Sequence, residues 1–132
     1  MAKKILLING DKEMCEEITE ILEDEGYLVN ITLSGYELKN LIEKNEYDVL
    51  LLDLKLPGLY GLEILKKIRE KNIKSKVIVM TRRPLNTGLF KEEVYYEDQK
   101  ECIAKLADAL ITKPFDIEKL LGKIKELVEQ EK

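Results

Sequence analysis

Val49-Leu50-Leu51-Leu52-Asp53-Leu54-Lys55-Leu56-Pro57-Gly58 decides the fold of this chain. Four apolar residues with no polar alternation read as a strand covered on both faces, the habit of parallel sheets, and Pro57-Gly58 reads as the loop that leaves it. Asp53 then stands where a buried strand opens at its carboxyl end, which is where open α/β sheets keep their binding and reactive groups. A carboxylate there is expensive to desolvate. It persists because loop donors and cations satisfy it or because it reacts.

Outward from this strand, residues 5–8, 27–33, 77–80 and 109–111 form further short apolar or β-branched runs, separated by stretches of helical periodicity. In the first of these stretches Met14, Ile18, Ile21 and Leu22 share one face and Glu16, Glu17, Glu20 and Asp24 the other, with Gly26 as the stop. Ser34-Gly35-Tyr36-Glu37 has capping-box spacing before a helix carrying Leu38, Leu41 and Ile42 inward. A third helix buries Leu62, Leu65 and Ile68. The last opens after Pro114 with Asp116 as N-cap and repeats Ile117, Leu120, Leu121, Ile124 and Val128 at helical spacing. Strand and helix alternate, so the expected fold class is α/β: a doubly wound, five-stranded parallel sheet with right-handed crossovers, in one domain over residues 1–132.

Composition narrows the function. At 132 residues, 45% hydrophobic and 36% charged, the chain suits one globular domain, and no segment reaches transmembrane length. The start, Met1-Ala2-Lys3-Lys4, leads straight into a strand-sized run rather than a signal-peptide core, so a cytoplasmic location is expected, with no membrane partner. A net charge of −4 gives no basis for non-specific nucleic-acid binding, and Lys66-Lys67-Ile68-Arg69 reads as a solvated helix face. With no histidine, Ser-His and Cys-His catalysis are excluded. Cys15 and Cys102 lie in helical patterns without CxxC spacing and read as reduced, structural thiols.

In a parallel sheet the carboxyl ends of all strands open on one edge, which brings Asn9-Gly10-Asp11, Asp53, Thr81 and Lys113 together. Asp53 offers a nucleophile, Thr81 a hydroxyl donor, and Lys113 an ammonium able to stabilise added negative charge. One stretch breaks the rhythm. An extended loop at about 82–95 precedes the fourth helix, and it reads either as a tolerated surface insertion or as a lid or docking segment, with Tyr95 and Tyr96 close by.

Along nearly its whole length the sequence resembles the response-regulator receiver domain, the CheY-like, flavodoxin-like (βα)5 phosphoacceptor module of two-component signalling. The resemblance is carried in order by Lys4-Ile5-Leu6-Leu7-Ile8, by residues 47–61 around Asp53, by residues 77–81, and by Leu110-Ile111-Thr112-Lys113-Pro114-Phe115. It implies that Asp53 accepts a phosphoryl group from a partner kinase, that Thr81 hydrogen-bonds the phosphoryl oxygens, and that Lys113 pairs with them. The chain is expected to be a phosphoprotein rather than an enzyme.

Four positions depart from the family pattern. Where such domains place two adjacent acids that hold magnesium, this chain has Asn9 and Gly10, so magnesium binding is expected to be weak or absent. The remaining metal donors are Asp11, Asp53 and the backbone carbonyl of Lys55. N-cap preference favours Asp11 as the cap of the first helix over a metal donor. Arg82 follows Thr81 where a small residue is common, and is either exposed or able to swing over Asp53 as a partial substitute for the metal charge. Leu110 replaces the switching aromatic.

Two functions from different classes follow. One is a stand-alone receiver in a phosphorelay, acting through protein–protein contacts. The other is a pseudo-receiver, an interaction module that works without phosphorylation or metal, with Lys113 or Arg82 paired to Asp53. A flavodoxin-like cofactor binder is disfavoured because the first turn lacks a phosphate cradle. The expected partners are a histidine kinase or phosphotransfer protein, a downstream target, and a second copy through the face of the fourth helix and fifth strand.

Overall fold

The computed structural model describes residues 3–33, 37–53, 55–56, 59–82, 105–113 and 116–129. Strands β1 (Lys4–Ile8), β2 (Leu28–Thr32), β3 (Val49–Asp53), β6 (Lys76–Arg82) and β7 (Ala109–Lys113) form a five-stranded sheet in the order β2-β1-β3-β6-β7. Every pairing in it is parallel. The order reverses direction at β1, the arrangement of a doubly wound sheet whose crevice lies at the carboxyl ends of the central strands. Helices α1 (Lys12–Asp24), α2 (Leu38–Lys44), α3 (Gly61–Glu70) and α4 (Ile117–Glu129) run between or after the strands.

Side-chain alternation along the central strands separates two cores. Ile5, Leu7, Val49, Leu51, Ile78 and Met80 pack with Cys15, Ile18 and Leu22 of α1 and with Leu120, Ile124, Leu127 and Val128 of α4. Leu6, Ile8, Leu50, Leu52, Val77 and Val79 pack on the other face with Leu38 of α2 and with Ile64, Leu65 and Ile68 of α3. The apolar run around Leu50 is thus buried on both sides, as its lack of alternation implies.

Two of the three expected helix caps are present; at the start of α2 the N-cap is Glu37, which makes no side-chain cap hydrogen bond. Asp11 Oδ1 accepts from the Met14 N–H at 3.2 Å at the start of α1, and Asp116 Oδ1 accepts from the Glu118 N–H at 2.9 Å before α4. At its other end α1 stops on Gly26, whose φ of +94° lies in the left-handed region where a side chain is strained.

The structure adds four features to the sequence reading. A two-stranded antiparallel ribbon, β4 (Lys55–Leu56) with β5 (Leu59–Tyr60), occupies the connection after Asp53, where a plain loop is expected. The edge strand β2 is not covered along its length, since Leu28 and Ile31 are exposed. Burial of both faces holds for the inner strands and fails at this margin. Arg69 is not part of a solvated face, because its Nε donates to Leu106 O at 2.8 Å and its Nη2 pairs with Asp108 Oδ2 at 2.8 Å. Asp108 Oδ2 also accepts from the Val77 N–H at 2.7 Å, so α3 is bonded to the starts of β6 and β7.

Residue 82, the first of the expected 82–95 loop, ends β6; the rest of that loop lies outside the described residues. So do Cys102, Pro114, and Ser34, Gly35 and Tyr36 of the expected capping box. No described helix is long and apolar enough to cross a membrane.

Leu51→Ala, which removes a fully buried side chain from the central strand, is expected to cost ~2–5 kcal/mol in urea unfolding. Asp11→Ala removes only a cap at an exposed helix end and is expected to cost ~0.5–2 kcal/mol in the same measurement.

Candidate functional site

Asp53 is the last residue of β3 and is only 7% exposed. Its position follows from pairing on both sides. On one side Ile8 is in register with Leu52, so Asn9 follows β1 at the level of Asp53; on the other, Asp53 itself is in register with Met80. Thr81 and Arg82 are the next residues of β6, and they are in register with Thr112 and Lys113 of β7. The backbone therefore brings Asn9, Asp53, Thr81, Arg82 and Lys113 to one edge of the sheet, with adjacent strands ~4.8 Å apart.

The turn after β1 is held by a set of hydrogen bonds centred on Asn9. Asn9 is 1% exposed. Its backbone N–H donates to Thr32 O at 3.1 Å and its carbonyl accepts from Cys15 Sγ at 3.5 Å. Its side-chain Oδ1 accepts from the Asp11 N–H at 2.8 Å, closing an Asx turn over Gly10, and its Nδ2 donates to Met14 Sδ at 3.2 Å. Asp11, brought into place by that turn, uses its carboxylate on the Met14 N–H and its carbonyl on the Cys15 N–H, at 3.2 and 3.0 Å. Asn9 thus links β1, β2 and the first turn of α1.

Asp11 stands as the N-cap of α1, and Lys55 lies in the β4–β5 ribbon, paired with Tyr60. Among the described residues, no group of three or more His, Cys, Asp and Glu is placed to hold a metal ion. Leu110 is in register with Val79 and is 37% exposed. A cavity of about 310 Å³ lies beside the carboxyl ends of β1 and β2, lined by Lys12, Cys15, Glu16, Ile31, Leu33 and Glu37. None of the expected site residues lines it, so size alone does not mark the site.

Sequence reasoning places Asp53, Thr81 and Lys113 on a common edge, and the strand register does the same. It misses Met14. That residue reads as one of a row of apolar core positions, but its sulfur receives the Asn9 amide. The pattern of apolar spacing carries no signal for such a contact.

A family model described as the response regulator receiver domain matches residues 5–125. The transcriptional regulatory protein DltR of Streptococcus agalactiae is 32% identical over 122 residues, which are 92% of this chain and 50% of that protein. The chain spans about half the length of the curated relatives it matches. Among solved structures, the receiver domain of the Francisella response regulator 1452 superposes with a TM-score of 0.82 at 29% identity, covering 98% of this chain and 99% of that one. The response regulator TrrA of Thermotoga maritima, solved in complex with Mg2+ and BeF, superposes with a TM-score of 0.76 at 28% identity, covering 95% and 98%. With the sheet order, the buried aspartate at the end of the central strand and this match across the chain, the protein belongs to the response regulator receiver domain family of two-component signalling.

Proposed function

We propose that this chain is a phosphoacceptor of a two-component relay, with Asp53 as the residue that takes the phosphoryl group. The observation that carries the reading is the burial of Asp53 at the carboxyl end of β3, with Thr81 and Lys113 at neighbouring register positions of β6 and β7. A carboxylate oxygen of Asp53 attacks the phosphorus of a phosphohistidine on a kinase or phosphotransfer protein. The P–N bond breaks, and its electron pair stays on the imidazole nitrogen. The added charge is met by the Thr81 hydroxyl and the Lys113 ammonium. The acyl phosphate so formed biases the edge of the sheet between two arrangements, which a partner protein reads by binding.

On this reading the chain acts in the cytoplasm through protein contacts, with no chemistry beyond its own phosphorylation. A downstream protein, or a second copy through the β7 side, is the recipient of the signal. Full-length relatives such as DltR are named as transcriptional regulators, and an output of that kind would come from a part beyond the span matched here.

The pseudo-receiver reading has one observation in its favour: the Asn9 turn is closed by the protein's own donors and acceptors, as a site held in one state requires. In that reading a cation of the chain pairs permanently with Asp53 and partners recognise a fixed surface.

Incubation with a small acyl phosphate, across magnesium concentrations that include none, is expected to add one phosphoryl group by intact mass in the wild type and none in Asp53→Asn. Failure of the wild type to incorporate phosphate at every concentration overturns the phosphoacceptor reading. Partner binding separates the two functions independently. A phosphoacceptor loses its phosphate-dependent binding in Asp53→Ala, whereas a pseudo-receiver keeps its affinity within about twofold if the variant stays folded.

A further inference from the structure

The Asn9-Gly10-Asp11 turn has two properties that bear on magnesium, the ion that receiver domains typically hold beside the acceptor aspartate. The first is the state of its donors. A magnesium ion demands near-octahedral oxygen ligation and is bound through carboxylates with retained water. Asn9 offers a neutral carboxamide whose oxygen is 2.8 Å from the Asp11 N–H and whose nitrogen is 3.2 Å from Met14 Sδ. Gly10 offers no side chain, and the Asp11 carboxylate caps α1. Redirecting Asp11 toward an ion means giving up the cap, and redirecting the Asn9 oxygen leaves the Asp11 N–H without its bond. The residues present do not fit the ion.

The second property is charge. A pair of acids beside Asp53 would put three carboxylates at one edge, a concentration of charge that a divalent cation relieves. Here the positions at the ends of β1, β3, β6 and β7 are Asn9, Gly10, Asp53, Arg82 and Lys113. With Asp11 in the turn after β1, the formal charges at these positions are two negative, Asp11 and Asp53, and two positive, Arg82 and Lys113, the last two being register partners. No excess of negative charge calls for a divalent ion.

Resting on the phosphoacceptor reading of Asp53, we infer that this receiver works without magnesium: the buried Asn9 amide closes the turn that acids would leave open to a cation, and the chain supplies the positive charge at that edge through Arg82 and Lys113. The site is then insensitive to magnesium availability.

The test is magnesium binding itself, which does not depend on whether Asp53 is phosphorylated. The chain has no tryptophan to report by fluorescence, so the measurement is a magnesium titration followed by 1H–15N amide shifts of residues 9–11 and 53. Intact mass confirms that Asn9, followed by glycine, has not hydrolysed to aspartate. The wild type is expected to show no saturable shift at those residues up to tens of millimolar magnesium. Gly10→Asp alone, and Asn9→Asp/Gly10→Asp together, are expected to gain affinity by about 100-fold or more, since even outer ligand shells are worth ~10–100-fold. Gly10 is exposed, and an aspartate at 9 keeps the oxygen that accepts from the Asp11 N–H while giving up the amide that donates to Met14 Sδ, so folding of each variant is checked by its amide spectrum. Saturable wild-type binding that disappears in Asp53→Asn overturns the inference, as does a folded double variant that gains nothing. A wild type that takes phosphate equally with and without magnesium supports both readings. One that binds no magnesium and takes no phosphate upholds the magnesium result and removes the phosphoacceptor.

Discussion

The parallel pairing of β3 with β1 on one side and β6 on the other is the constraint from which the rest of the molecule follows. Leu50, Leu51 and Leu52 are fully buried between two cores, so β3 cannot shift by one residue without exchanging the side chains of its two faces. The register fixed by that packing decides which residue emerges at the carboxyl edge, and that residue is Asp53. Helices α1 and α4 cover one face and α2 and α3 the other, closing the sides and leaving the strand ends as the place where polar groups meet.

Burial and charge pull against each other at this edge. Asp53 and Asn9 are both nearly inaccessible, one an acid and the other neutral, at the same level of adjacent strands. Replacing an acid by an amide at the end of β1 removes like-charge repulsion beside Asp53 and supplies a donor and an acceptor that the turn itself consumes. The local structure becomes self-sufficient. Asp11 caps the helix end, and β3, β6 and β7 bring Asp53, Thr81, Arg82 and Lys113 to the same edge of the sheet.

Much of this is legible in the sequence because it rests on periodicity and local chemistry. The uninterrupted Val49-Leu50-Leu51-Leu52 run announces a strand buried on both faces, and Asp11 and Asp116 stand where helix caps are favoured. Asp53, Thr81 and Lys113 fall to one edge as soon as the strands are made parallel. What is not legible depends on contacts distant in the chain. The exposure of Leu28 and Ile31 on β2 comes from its place at the margin of the sheet, which its β-branched run does not encode. The β4–β5 ribbon is set by backbone pairing over two residues on each side, too short for any periodic signal. Arg69 reads as a surface charge because the carbonyl of Leu106 and the carboxylate of Asp108, its partners, lie 37 and 39 residues away.

Those Arg69 bonds also set the mechanical boundary condition for the sheet. They clamp the amino ends of β6 and β7 to α3, through Asp108 and the Val77 N–H, at the end of the strands opposite Asp53. From that clamp at Val77, β6 extends a further ~17 Å to Arg82. A displacement imposed at the carboxyl edge is therefore resisted at the root by these side-chain bonds and along the strand by its pairing with β3 and β7. The load at that edge is thus shared among paired strands, so that β6 and β7 respond together rather than one at a time.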